Sequence, residues 1–410
     1  MVAGAREGTP ADAVLGVIPR LVLEPSTVEE AVEAMRACAR DRLRLLFVGG
    51  ATEIELGRPP AALDAVLRTV RLARVVEHAP SDQIAVVEAG TRLSDLQRLL
   101  SAHRQRVALD PPLPEAATLG GVVAANAFGP RRHRFGSARD LVVGMGFVRA
   151  DGTPAKGGGK VVKNVAGFDV PRLLVGSLGT LALLTTVTVR LYPLPEAEET
   201  VLVPDLDAMA LRQVVTALGA EQLEPSSVAA LLESDRFRLG IRFEGFAPGV
   251  AEQRRNLLAL AERLGRRAEP LDDGAARAFW GRHDAVRGDG PLRAKLSAPP
   301  AALAQVAGAA LMPLLSALQG GAAVVYPTLG FAFASGQPAA ADATARAVES
   351  ARAALARLGG SLVLGAAPGE VRALVDPWGP PPPGLDLMRR VKARLDPDAR
   401  LAPGRFVGGI

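Results

Sequence analysis

The sequence predicts an α+β protein. In its first half strands and helices alternate; its second half reads as an antiparallel sheet covered on one side by helices. Three observations carry this. Short runs rich in Val, Ile and Leu alternate with helical apolar spacing up to about residue 190. Strand-like runs then recur in close pairs between long amphipathic helices. Between the halves, Tyr192-Pro193-Leu194-Pro195 and the acids Glu196, Glu198 and Glu199 interrupt the pattern. The domains are placed accordingly at 1–195, 196–384 and 385–410, the last returning to the first.

The elements follow in order. Residues 1–20 read as a lead-in. Pro25-Ser26-Thr27-Val28-Glu29-Glu30 combines a capping hydroxyl with first-turn acids and opens a helix running to Arg40. A strand at 43–48 ends on Gly49-Gly50-Ala51-Thr52. Another at 84–88 precedes Gly90, and Leu93, Leu96, Leu99 and Leu100 mark a helix over 93–103. The strand at 141–149 leads into Ala150-Asp151-Gly152-Thr153, a hairpin turn. Gly157-Gly158-Gly159 is a second flexible point, and the β-branched run 181–191 is a strand.

Beyond the break come a strand (200–203), a helix (206–218), two strands (228–232 and 239–243) and a long helix (250–264). Strands recur near 294–297, 323–326 and 331–333, with a helix over 339–358. A proline-rich loop spans 377–384, a last helix 385–395, and a turn-rich tail 396–405.

The 410-residue chain has a formal net charge of +5 with the signs interspersed, so no basic stripe of the kind that binds nucleic acid emerges. Its one cysteine, Cys38, permits no internal disulfide and no cysteine-ligated iron–sulfur cluster held by this chain alone. Cys38 falls in a helical pattern and reads as a small buried residue. No signal peptide and no apolar run long enough for a membrane span are evident. No metal site is expected. The expected location is the cytoplasm, with attachment to the inner membrane face through partners left open.

The richest stretch lies between Leu109 and Pro193. Asp110-Pro111-Pro112 precedes Ala117-Thr118-Leu119-Gly120-Gly121-Val122-Val123-Ala124-Ala125-Asn126. Lys163-Asn164-Val165-Ala166-Gly167-Phe168-Asp169 precedes Val175-Gly176-Ser177-Leu178-Gly179-Thr180. Glycine permits positive φ and close backbone approach, and successive N–H groups suit phosphate oxygens. The pattern points to a dinucleotide, without the strand–GxGxxG–helix signal.

These motifs, in this order and spacing, resemble the vanillyl-alcohol-oxidase / p-cresol methylhydroxylase-type FAD-binding flavoproteins. The likeness is greatest to the glycolate oxidase E-subunit-like branch, nearly continuous over 25–193, and the tail Leu395-Asp396-Pro397 to Arg405-Phe406 resembles the family's closing element. The resemblance implies a two-lobed FAD-binding domain with a cap domain. It assigns Gly49, Gly50, Ala51 and Thr52 to a first pyrophosphate loop, and Pro111, Ala117, Thr118, Gly120, Gly121 and Asn126 to a second. Gly136, Ser137 and Asp140 fall on the flavin side; Asn164, Gly167, Asp169 and Gly179 fall on the adenine and ribose side.

Departures from the family shape the functional expectation. The first loop, Val48-Gly49-Gly50-Ala51-Thr52-Glu53, has no histidine for covalent attachment, so FAD is expected to be non-covalent. The cap histidine cluster of relatives that act alone is missing: the comparable stretch reads Tyr326-Pro327-Thr328-Leu329-Gly330-Phe331. Ala402 stands where asparagine is usual. Lys163 reads equally as a group near the pyrophosphate or the reduced flavin and as a solvated side chain on a loop. Arg131, Arg132 and Arg134 read as a solvated loop, His283 as a packing residue, and His133 as depressed by its arginines. Arg287 and Lys295 are the candidate substrate-carboxylate groups, with no catalytic base identified.

The resemblance implies an FAD-binding subunit of a glycolate oxidase-like 2-hydroxy-acid dehydrogenase complex. Its partners would be a homologous FAD subunit carrying the histidine cluster and an iron–sulfur subunit. The alternatives are a free-standing FAD-dependent oxidoreductase of another substrate and a non-catalytic flavin-binding scaffold.

Overall fold

The computed structural model describes residues 5–160 and 168–410; Lys163, Asn164 and Gly167 lie outside the described residues. The chain forms two compact units. One comprises residues 1–129, 136–194 and 381–410, the other 130–135 and 195–380.

The first unit holds two main sheets. In the four-stranded one, Leu21–Leu23, Ala65–Arg68 and Leu45–Val48 run parallel in that order, with Arg6–Glu7 antiparallel on the outer edge. The helix Val28–Arg40 makes the crossover. Thr27 caps it by accepting the Glu30 N–H at 3.1 Å, and it buries Ala31, Val32, Ala34, Met35 and Cys38. Burial pushes the Cys38 thiol up to about 11, so it stays protonated and inert. Apolar clusters cover both faces of this sheet, which is why Leu45–Val48 is apolar throughout instead of alternating.

The second sheet has five strands in the order Val75–Ala79, Ile84–Glu88, Leu183–Arg190, Val142–Val148, Pro154–Gly158. Every pairing in it is antiparallel. Alternation of strands and helices therefore does not mean parallel crossovers here. The turns at 80–83 and 149–153 are too short for one. At the second, Gly152 takes φ +81° and the Thr153 N–H meets Asp151 Oδ1 at 2.9 Å.

The second unit is built on one eight-stranded antiparallel sheet. Its order is Glu269–Leu271, Ala197–Leu206, Arg236–Gly245, Ser227–Glu233, Leu318–Tyr326, Phe331–Pro338, Leu292–Ser297, Ser361–Ala366. The helices Ala208–Ala220, Ala247–Arg263 and Ala341–Arg357 and the helical run through residues 303–316 pack their apolar residues on one face. The expected one-sided cover needs correction. The helix Asp273–Gly288 lies on the opposite face, where a Cβ on Gly240 would meet the Phe279 ring at 2.3 Å. The acids Glu198 and Glu199 do not end the strand pattern. They sit within Ala197–Leu206, neutralised by Arg242 at 3.4 Å and Arg254 at 3.0 Å.

The solvated reading needs correction for Arg131 and Arg132, while Arg134 is exposed as expected and also pairs with an acid. Arg131 meets Glu244 at 2.7 Å, Arg134 meets Glu224 at 3.2 Å, and Arg132 lies over the Phe331 ring. Residues 130–135 thus join the second unit through acids distant in sequence. His133 is lowered as expected, but burial is the larger cause and Arg134 the smaller.

Candidate functional site

The strand Leu45–Val48 delivers the chain into a loop where Ala51 takes φ +58°, in the left-handed region. Thr118 ties this loop to the next one. Its Oγ1 accepts the N–H of Gly50 and that of Gly121, each at 3.3 Å, while capping the helix Leu119–Ala125. The glycines make that closeness possible. A Cβ on Gly49 would stand 2.1 Å from Thr118 Oγ1, one on Gly50 1.8 Å from the Ala116 carbonyl oxygen, and one on Gly120 2.7 Å from the Ala89 Cβ. Their first demand is loop-to-loop packing, and the cavity side is left as bare backbone.

A third loop joins from sequence further on. The N–H groups of Gly176 and Leu178 donate to the carbonyls of Val123 and Ala124, fastening the 176–180 turn to the helix. Gly179, at φ +73°, brings this turn against Phe47. The three loops line one cavity, open to solvent at its mouth.

The structure brings Gly49, Gly50, Ala51, Thr52, Gly120, Gly121 and Gly179 to this one cavity. Thr118 and Ala117 are buried immediately behind it. Asn126, in the left-handed conformation at the end of Leu119–Ala125, has a buried Oδ1 without a partner among the described residues. Pro111 is buried away from the lining. Gly136, Ser137 and Asp140 make a local helix start, Asp140 accepting the Ser137 N–H at 2.8 Å. Asp169 caps the helix Val170–Leu174 and pairs with Arg172 at the surface. Sequence reasoning missed Phe47, Thr69, Ala89, Ala182 and Arg405, all of which line the cavity. Only for Arg405 was there a signal: its place in the family's closing element.

Residues 19–157 match the model of the FAD binding domain family. The chain carries an FAD-binding domain. It is 32% identical over 235 residues to glycolate oxidase subunit GlcE of Escherichia coli (strain K12), covering 57% of this chain and 65% of that protein. To glycolate oxidase subunit GlcD of Bacillus subtilis (strain 168) it is 30% identical, covering 52% of this chain and 46% of that one. To D-lactate dehydrogenase of Archaeoglobus fulgidus it is 34% identical, covering 42% and 39%. The chain thus spans less than two thirds of each. A solved alkyldihydroxyacetonephosphate synthase shares the fold at TM-score 0.76 and 16% identity, covering 99% of this chain and 84% of that one.

The residues fit FAD. Glycine-rich backbone from three loops and the small side chains of Ala124, Ala125 and Ala182 line one cavity, as the close approach of a flat, phosphorylated group requires. No described helix is long and apolar enough to cross a membrane, and no group of three or more metal-ligating side chains occurs among the described residues.

In the second unit, Arg287 and Lys295 share one face of the sheet. Lys295 lies directly opposite Phe333 in the antiparallel register, and the Arg287 guanidinium stacks 4.2 Å from the Phe333 ring centre. Arg287 also donates to Tyr326 Oη at 3.0 Å. His283 is fully buried and packs as expected. Burial lowers its pKa and keeps the ring neutral. Asp284 Oδ1 lies 2.8 Å from Nδ1 and can only accept, so Nδ1 carries the proton and Nε2 accepts the Tyr326 hydroxyl at 2.6 Å. The stretch Tyr326 to Phe331 is a hairpin turn, with the Leu329 and Gly330 N–H groups on the Tyr326 carbonyl.

Proposed function

We propose that this chain is the FAD-binding subunit of a glycolate oxidase-like 2-hydroxy-acid dehydrogenase complex and holds its flavin non-covalently. The observation that carries the reading is the likeness to GlcE, joined to a glycine-lined cavity built largely from the matched FAD-binding domain. Bound FAD supplies two-electron acceptance at its ring and single-electron release to a partner. The chain's own part is to hold the pyrophosphate on backbone N–H groups and keep the ring on small side chains. The absence of histidine from Val48 to Glu53 supports non-covalent attachment. A single cysteine supports an iron–sulfur cluster on another subunit. Proton abstraction from the hydroxy acid is assigned to a homologous FAD subunit with a histidine cluster, because His283 is buried and engaged with Tyr326.

The test is reconstitution. The purified chain should be yellow, release FAD on acid precipitation, and leave a dye acceptor unreduced with glycolate or D-lactate. Addition of the two partner subunits should restore dye reduction. Substrate-dependent bleaching of the flavin in the isolated chain would overturn this division of labour. It would support the second reading, a free-standing FAD-dependent oxidoreductase whose carboxylate anchor is the Arg287 and Lys295 pair around Phe333.

A further inference from the structure

The cofactor cavity has a wall that the matched domain does not supply. Arg405 lines it, in a tail far outside residues 19–157, and is 4% exposed. Its Nη2 donates to the carbonyls of Ile54 at 2.8 Å and Leu56 at 2.7 Å, and its Nη1 to that of Arg58 at 3.2 Å. The chain answers in kind: the Arg58 N–H donates to the Arg405 carbonyl at 3.1 Å and the Ala61 N–H to that of Pro403 at 2.9 Å. On the other side of the loop, Leu45 donates to Arg400 at 2.8 Å and Ala402 to Leu45 at 2.6 Å. The loop that lines the cavity from residue 46 to 54 is therefore gripped by the tail before and after.

We propose that Arg405 is a positioning residue for FAD. It holds the 49–54 loop in the one conformation that presents its N–H groups to phosphate, and it adds a fixed positive charge to the wall facing an anionic cofactor. A guanidinium suits both tasks, since its planar fork reaches several carbonyls at once and its charge is permanent; a lysine ammonium cannot reproduce the fork. The role is distinct from gluing the tail in place. That work falls to Arg400, whose guanidinium meets the carbonyls of Cys38, Leu43 and Ala150, none of which lines the cavity.

The experiment titrates FAD into the full-length apoprotein and follows quenching of flavin fluorescence, with circular dichroism reporting the folded fraction. Arg405→Met and Arg405→Lys should each bind FAD at least ten-fold more weakly per folded molecule. Arg400→Met should lower the melting temperature yet bind within about three-fold of wild type. Equal affinity of Arg405→Met and wild type, or equal weakening by Arg405→Met and Arg400→Met, would overturn the proposal. Should the Arg405 variants fail to fold, hydrogen exchange on the unaltered chain decides. FAD should slow exchange at the Arg58 and Arg405 amides more than at residues 392–396, and equal slowing would overturn it as firmly.

Discussion

A single left-handed residue shows how this chain divides strain from function. Ala51 and Ala399 both sit at positive φ, +58° and +49°. The first lies in the loop that lines the cavity, the loop proposed to hold the cofactor. The second lies in an exposed turn with no such task. Ala399→Gly should therefore relieve strain and stabilise by about 0.5–1 kcal/mol in urea unfolding without altering FAD binding. Gly50→Ala should do the opposite, since the new Cβ would stand 1.8 Å from the Ala116 carbonyl oxygen. It should lose FAD and melt several degrees lower in thermal denaturation. His283 gives a pH prediction. Its folded pKa is lowered by burial, so the unfolded chain binds the extra proton first. Its contribution is present above the ordinary imidazole value near 6.5 and is lost as pH falls below it. The melting temperature should drop between pH 7 and 5 more in wild type than in His283→Gln.

Elements were legible where their signals are local. The cap at Thr27, the turn at Asp151-Gly152 and the glycines of the cofactor loops are read from neighbours in sequence, and the structure has a helix start, a hairpin and one shared cavity there. The helix Asp273–Gly288 escaped because glycines at 274, 281 and 288 dilute its pattern. Its Asp272 cap, accepting the Ala275 N–H at 2.8 Å, was the available clue. Long-range pairing left no clue at all: nothing near Arg131 foretells Glu244, and nothing near Arg405 foretells the carbonyls of 54–58. The last helix makes the same point. Lys392, buried, gives its three protons to Asp396 at 2.6 Å and to the carbonyls of Thr180 and Leu401 at 2.8 and 2.7 Å. Asp396 in turn accepts the Leu401 N–H at 2.7 Å. Lys392→Met strands that carboxylate in the interior, and urea unfolding should show a loss of about 3–5 kcal/mol.

For the whole molecule, cofactor and stability are linked. A ligand held at a hundred times its dissociation constant adds about 2.7 kcal/mol to the folded state. Added FAD should raise the melting temperature of the apoprotein in proportion to the logarithm of its concentration, which differential scanning calorimetry can follow. The two units differ in how they are assembled from the chain: the FAD-binding unit is drawn from three separated stretches, and most of the other lies between them. During synthesis, the glycine loops leave the ribosome long before Arg405 does. A nascent polypeptide stalled short of that arginine would carry an unfinished pocket and should not retain flavin, so loading waits until the tail has emerged and the intervening unit has had time to fold.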